Sequence, residues 1–511
     1  MTWATRKKDK ILTREFTPDS WKMDAVTIAS AFKAAAVQSP DAIYCKSATG
    51  ALTYEQAAGA IQSLANELRA DVQGRSVALI LPNSKAFLIA YFATLFAGGK
   101  PALINHGHPP STIAKLLGDL DAAIVLSDRE QLDCNTRILN DELVDSLVNP
   151  ADMSTLINPG TPDDIAAIMY SGGTTGLPKQ VPHTNAAIVA TMERGDWGWR
   201  TRADEIWLPV APFTHIYGFL MGLTNPIMRA GAIVIPERFQ PDLIVDMLAN
   251  ERVTIFGGGP PAIYQAVMSS PKFADAQFTN LRICPGGGAP FPLDVHKRWQ
   301  ATTGLKIYEG YGMTEIAPIS INTEEYGVKP GSAGKAVPDT VIEIVDLETG
   351  DTVLDTGEAG EIRVKGPHMM TRYTGNPEET AIALRHGFVY TGDIGTLDED
   401  GFLTITDRKK NVIFVSGFNV FPREVEELLL THPAVSGACV VARTHERSGE
   451  VPIAFVTLRS DIDAASILAF CTVNLIAYKR PAEVIILPEM PLTPAGKVDR
   501  TTLQASLSAN T

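Results

Sequence analysis

Between residues 75 and 310 the chain alternates short apolar runs with longer amphipathic ones, and nothing else in it restricts the fold as strongly. The runs SVALILP, ALIN, AAIVLS, IAAIMY, AIVIP, VTIFG, LRICP and LKIY are four to seven residues long. Continuous apolar runs of this length are what strands covered on both faces require. Several are followed by stretches of helical length and period, such as 84–96 and 241–250. Strand–helix alternation predicts an α/β fold with parallel sheets covered by helices. Between 328 and 405 the texture changes: Gly and Pro punctuate short alternating strands (VIEIVD, GEIRVKG, GFLTIT), which predicts a smaller β-rich subdomain. The charge cluster Asp407-Arg408-Lys409-Lys410 follows, and a new alternating unit begins. There VIFVS, GACVVA, IAFVTL and VIILP read as strands, and 422–430 and 464–473 as helices. About 100 residues suffice for an independent α+β domain. The expected division is 1–406, a large N-terminal domain, and 407–511, a smaller C-terminal one.

A chain of 511 residues exceeds one ordinary domain. Its formal net charge of −14 repels polyphosphate backbones, so nucleic acid is excluded as the main partner. An anionic ligand must therefore be held by local donors. The five cysteines are widely spaced and form no CxxC pair, which argues against a disulfide framework or a zinc site and for a cytoplasmic location. The basic N-terminus MTWATRKKDK lacks the apolar stretch of a signal peptide. The longest apolar run, AFLIAYFATLFA at 86–97, falls short of the roughly 20 residues of a spanning helix. Peripheral attachment to a membrane stays open.

Directly after the run IAAIM comes YSGGTTGLPKQVPHT (170–184). Its glycines, Gly173 and Gly176 among them, let backbone approach a phosphate closely. Ser171, Thr174 and Thr175 supply hydroxyls, and Lys179 a mobile point charge. A helical pattern beginning near Thr184 is expected to add a positive dipole end. The spacing is not that of a Walker loop. Further on, Gly288-Ala289-Pro290 follows LRICP, and EGYGMTE (309–315) offers an aromatic face at Tyr311, with Gly310 and Gly312 clearing space on both sides. Thr314 brings a hydroxyl, and Glu315 by itself reads as an acid at a helix N-terminus. YTGD (390–393) and PLTPAGKVDR (491–500), with Asp393 and Lys497, read by themselves as a turn and a solvated terminus.

Taken in order, these segments resemble the acyl-adenylate-forming superfamily, which includes acyl-CoA synthetases, firefly luciferase and nonribosomal peptide adenylation domains. The matching stretches run from about 170 to 500. The resemblance implies ATP, Mg²⁺ and a thiol such as coenzyme A. It makes Ser171, Gly173, Thr174, Thr175, Gly176 and Lys179 the phosphate loop, with Gly288, Ala289, Pro290 and Tyr311 against adenine. Thr314 would reach the α-phosphate, Glu315 the metal, and Asp393 with Arg408 the ribose. Lys497 would be the adenylation lysine, because an ammonium shared by two anionic reactants cancels their repulsion. Asp407 becomes the hinge of a mobile C-terminal domain, and Gly417, in SGFNVFPREVE, lies on the coenzyme A side. His215, in PFTHIYG, stands at the mouth of the acyl pocket. Two positions depart from the pattern: Gly172, where many relatives carry Ser or Thr, and Gln180, where most carry Gly. Phe414 stands where some relatives have a lysine and takes no catalytic role.

No Asp lies in PFTHIYG to hold an α-ammonium, which disfavours an amino-acid substrate. No Trp truncates the pocket in EGYGMTE, which allows a longer acid. The pairing of EGYGMTEIAP with VSGFNVFP looks most like fatty-acyl-CoA synthetases, so the expected substrate is a medium- or long-chain fatty acid. An aryl-acid ligase stays open, as does an enzyme loading a carrier-protein phosphopantetheine, although 326–393 looks too compact for the insertion such enzymes carry. A nucleotide-binding regulatory protein without turnover would need a broken catalytic set, whereas Lys179, Glu315, Asp393 and Lys497 are all present. The HxH of His106 and His108 lacks a third ligand and reads as loop.

Overall fold

The computed structural model describes residues 23, 25–130, 134–157, 160–171, 177–492 and 498–508. The chain divides into two compact units: Met1–Ile342 with Val364–Tyr390 and Gly401–Leu403, and Glu343–Arg363 with Thr391–Asp400 and Thr404–Thr511. The second unit thus takes in two stretches that precede the charge cluster.

The first unit is built on the expected parallel sheets. One has six strands in the order Thr136–Ile138, Ala122–Ser127, Ser76–Ile80, Lys100–Leu103, Ile165–Ser171 and Lys179–Thr184. All neighbours run parallel except the last pair. A second sheet orders Ile255–Gly257, Ile206–Pro209, Ala232–Val234, Ile43–Ser47 and Gly50–Thr53, again parallel until its final pair. A third runs Cys284–Gly286, Ile307–Met313, Ile316–Ile321 and Lys335–Ala336. The apolar run at 86–97 is explained here. Helix Lys85–Phe96 is buried along every residue, so it is apolar all round because protein covers every face. No described helix is long and apolar enough to cross a membrane.

That helix carries one charge inside. Lys85 is buried, and its Nζ lies 2.7 Å from Asp145 Oδ1. Asp141, on the same short helix Asp141–Ser146, accepts from Ala86 N at 3.0 Å and Ser84 Oγ accepts from Phe87 N at 3.1 Å, which satisfies two donors of the first turn. The β-rich texture expected near 328–405 is found, its strands divided between the two units. Strands Val341–Val345, Gly360–Lys365 and Phe388–Leu397 follow one another in one sheet, and Leu403–Arg408 pairs with the last. Beyond it, Phe418–Val420, Ile413–Val415, Gly449–Leu458 and Val435–His445 form a sheet in that order, with Glu483–Ile486 parallel to Gly449–Leu458. Helix Pro422–Leu430 buries Val425 and Leu429, and helix Ala464–Asn474 buries Ile467 and Cys471.

Removing one partner of a buried ion pair leaves a charge stranded, whereas an apolar replacement of that charge removes the problem. Asp145→Ala is therefore expected to lower stability by on the order of 1–3 kcal/mol, the half-exposed acid side moderating the loss. Lys85→Met should cost markedly less. Thermal denaturation of the two variants checks the order; equal losses would contradict it.

Candidate active site

The phosphate segment begins on strand Ile165–Ser171 and returns on Lys179–Thr184, which pairs antiparallel so that Ser171 faces Lys179 and Ile165 faces Thr184. Gly173, Thr174, Thr175 and Gly176 lie outside the described residues, as does Lys497. The returning strand corrects one expectation. Helix Asn185–Trp199, capped by Thr184, starts at the far end of this hairpin from the phosphate segment. At about 3.3 Å per residue its N-terminus is displaced by roughly 17 Å, beyond useful dipole range.

Lys179 stands in a chain of contacts that the sequence did not announce. Its Nζ is 2.6 Å from Glu379 Oε2 and lies 4.7 Å over the Tyr373 ring. The Tyr373 hydroxyl donates to Glu315 Oε1 at 2.6 Å. Burial and the neighbouring Glu315 push this phenol above its ordinary range, so it stays a donor. Glu315 is buried in the turn between strands Ile307–Met313 and Ile316–Ile321. It is not at a helix N-terminus, which removes that reading. Tyr373 and Glu379 sit in RYTGNPEET, 58 residues or more beyond Glu315, and carry no motif of their own.

Two histidines brace the same turn. His183 Nε2 donates to the Thr314 carbonyl at 2.8 Å, and His368 Nε2 to the Pro318 carbonyl at 2.6 Å. Both rings are neutral. Burial lowers His183 to about 4, and burial with the nearby Arg194 lowers His368 to about 3. His183 lies within the phosphate segment itself, as VPHT, and that was its only sequence signal.

The glycine stretch expected against adenine is joined to this turn through strand Ile307–Met313. Cys284, Pro285 and Gly286 pair parallel with Ile307, Tyr308 and Glu309. Phe291 N donates to Glu309 Oε1 at 3.2 Å, which ties the stretch after Gly288-Ala289-Pro290 to the start of EGYGMTE. Gly288 adopts φ +82° with open space around it, so glycine is wanted there for backbone conformation. Gly310 and Gly312 have a reason beyond the one expected. A Cβ at Gly310 would come within 3.1 Å of Ser320 O, and one at Gly312 within 2.9 Å of Ala317 Cβ. They make room for the neighbouring strand, leaving half-buried Tyr311 between them.

His215 is exposed and caps helix Ile216–Phe219, its Nδ1 accepting from Tyr217 N at 3.2 Å. Tyr217, two residues on, is the more enclosed group. Its hydroxyl donates to Pro285 O at 2.9 Å and accepts from Gly259 N at 3.1 Å. The ring packs beside Gly259 and Gly287, where a Cβ would lie 3.4 and 3.6 Å from ring carbons. Cys284, at the head of the glycine stretch, has its thiol pushed up to about 12 by burial.

In the second unit, Asp393 is buried and meets Arg408 Nε at 3.0 Å, bringing the expected ribose pair together. The buried Asp407 carboxylate accepts from Arg408 N at 2.7 Å, Asn411 Nδ2 at 3.2 Å and Arg423 N at 2.8 Å, tying a strand end to the first turn of helix Pro422–Leu430. Gly417, φ +84°, follows Ser416, φ +51°, between the paired strands Ile413–Val415 and Phe418–Val420. Two positive φ values are what a tight hairpin turn demands, so this glycine has a backbone reason too. Leu492 and Val498, which flank the Lys497 segment, pair antiparallel.

The AMP-binding enzyme description matches residues 32–374, and that of the AMP-binding enzyme C-terminal domain matches 424–497. This chain belongs to the AMP-binding enzyme family. It is 31% identical over 477 residues to a long-chain-fatty-acid–CoA ligase of Bacillus subtilis, covering 84% of this chain and 85% of that one. It is equally 31% identical over 465 residues to a 4-coumarate–CoA ligase of Pinus taeda, with 86% of each covered. Among solved structures, the o-succinylbenzoate–CoA synthetase MenE of Bacillus subtilis with ATP and magnesium superposes with a TM-score of 0.81 at 26% identity, over 93% of this chain and 99% of that one. The chain is an acyl-CoA synthetase of this family, with ATP, magnesium and coenzyme A as its cofactors and co-substrates.

The residues suit a magnesium ion. Glu315 is buried, Tyr373 occupies one of its oxygens, and no described cation pairs with it. No cluster of three or more His, Cys, Asp or Glu side chains gathers among the described residues. Magnesium is commonly held this way, by one carboxylate with substrate phosphates and water completing the shell.

The neutral histidines give a pH dependence of definite sign. Each folded-state value lies below the 6.5 of an ordinary imidazole, so the unfolded chain binds protons that the fold refuses. Stability should be lost as pH falls below about 6.5, by about 1.4 kcal/mol per unit per histidine until the folded value is reached. Melting temperatures at pH 7 and pH 5 for the wild type and for His183→Gln with His368→Asn check this. The double variant should lose less on acidification; an equal loss would contradict buried neutral rings.

Proposed function

We propose that this acid–CoA ligase activates a medium- or long-chain fatty acid through an acyl-adenylate. The observation that carries the reading is the environment of Tyr217. Its ring lies beside Gly259 and Gly287, and its hydroxyl is taken up by Pro285 O and Gly259 N. A wall of aromatic ring and glycine suits an apolar acyl chain. The fatty-acid ligase of Bacillus subtilis adds support. An aryl acid is the second reading, favoured by the 4-coumarate ligase at equal identity and by a ring beside two glycines, which would accept a flat substrate.

In the first half-reaction the carboxylate of the acid attacks the α-phosphorus of ATP and pyrophosphate leaves. Lys179 neutralises phosphate charge, the Thr314 hydroxyl addresses the α-phosphate, and Asp393 with Arg408 holds the ribose. Magnesium bound at Glu315 would lend positive charge to the departing pyrophosphate. Lys497 then supplies the ammonium that lets two anions approach. The second half-reaction transfers the acyl group to the coenzyme A thiol with release of AMP. We assign residues 1–406 to nucleotide and acid, and 407–511 to a mobile domain turning about Asp407 and presenting Gly417 to the thiol. Free cysteines throughout fit a cytoplasmic setting.

Pyrophosphate release over a panel of acids, followed by product mass with and without coenzyme A, tests the substrate. Fatty acids of medium or long chain should turn over best, giving acyl-CoA; turnover confined to cinnamic-type acids would transfer the assignment to the aryl reading. Lys497→Ala should keep ATP binding but lose pyrophosphate formation by at least a hundredfold, as loss of a transition-state charge partner generally does. Full activity in that variant would remove the assigned role.

A further inference from the structure

We infer that Glu379 competes with the nucleotide for Lys179 and thereby sets how tightly the enzyme holds triphosphate and how readily it gives up pyrophosphate. This rests on the reading of Lys179 as a phosphate ligand. The ammonium of Lys179 is 2.6 Å from the Glu379 carboxylate, and a phosphate oxygen would need the same donors. Two anions cannot both hold one small cation at contact distance without repelling each other.

The position of Glu379 is built rather than incidental. Helix Pro377–Ala383 begins with proline, and Asn376 Oδ1 accepts from Glu379 N at 3.3 Å, fixing Glu379 in the first turn. The segment before the helix is pinned to both sides of the site. Met370 N donates to Glu315 O at 2.7 Å, Thr374 N donates to Gln180 O at 3.0 Å, and Tyr373 N donates to Thr380 Oγ1 at 2.9 Å. Glu379 therefore reaches Lys179 from a scaffold already attached to Glu315 and to the lysine's own strand. With 29% and 45% of the two side chains exposed, the pair is solvent-screened, so its effect is modest and readily reversed. A competitor of this strength suits a site that must bind triphosphate and then release its product. When pyrophosphate leaves, the carboxylate takes back the lysine.

The test measures binding in the full-length enzyme by calorimetry. Glu379→Gln keeps the shape and removes the charge. It should tighten both ATP and pyrophosphate by about two- to fivefold, the range of a screened ion pair, and leave adenosine unchanged. In a Lys179→Met background the same substitution should have no effect on either anion. If Lys179→Met weakens ATP but Glu379→Gln leaves ATP and pyrophosphate unchanged, or weakens them, the competition is refuted while the phosphate role of Lys179 stands. If Lys179→Met itself leaves ATP binding unaltered, the phosphate role fails, and the inference falls with it.

Discussion

A lysine and a glutamate lie on two sides of one tyrosine. Nζ of Lys179 is 4.7 Å above the Tyr373 ring, and Oε1 of Glu315 accepts the Tyr373 hydroxyl at 2.6 Å. The ammonium pairs with Glu379 and not with Glu315. The ring keeps Lys179 and Glu315 connected yet separate: its face takes the cation and its edge supplies a proton donor to the anion. Phenylalanine could do only the first. Backbone bonds from Met370 to Glu315 and from Thr374 to Gln180 hold the segment that carries this ring.

Neutral support is the complement of that arrangement. The turn carrying Thr314 and Glu315 is braced by two imidazoles, and burial keeps both uncharged. A cationic brace beside Glu315 would compete for the carboxylate and reduce its value to a metal. A neutral Nε2–H gives the same directed hydrogen bond to a carbonyl without adding to the local field. Low dielectric serves both ends: it holds the rings neutral and sharpens the bonds they make.

The sheets were legible because their information is local. Every run read as strand between 75 and 310 overlaps an observed strand, and helix Pro241–Asn250 coincides with its pattern. Strand Lys179–Thr184 was not legible, because KQVPHT contains a proline at 182 and no alternation. In the structure it is the last strand of its sheet, where a missing N–H is tolerated. Overlooking it led the helix at 185 to be set against the phosphates. Gly310 and Gly312 were read as clearing space beside Tyr311, and the structure adds a second constraint from Ser320 and Ala317, on a strand that pairs back across a turn. Tyr373 and Glu379 could not be found at all, since their meaning exists only once residues 58 and 200 positions apart are folded together. Asp393 and Arg408, by contrast, were named together through the family resemblance and are found 3.0 Å apart.

An activated acyl group is a hazard to any thiol nearby, and the chain's own cysteines bear on which thiol can receive it. Cys284 opens the strand that leads into Gly286, Gly287 and Gly288, which puts it closest in sequence to the proposed adenine wall. Burial raises it to about 12, so at neutral pH it is a thiol and not the thiolate that attacks esters and anhydrides. Cys439 is likewise raised to about 12, and Cys471 is also raised by burial. A protein thiolate would intercept an acyl-adenylate and end the cycle in a dead covalent adduct. By keeping these three sulfurs buried and protonated, the fold withholds them from an activated acyl group.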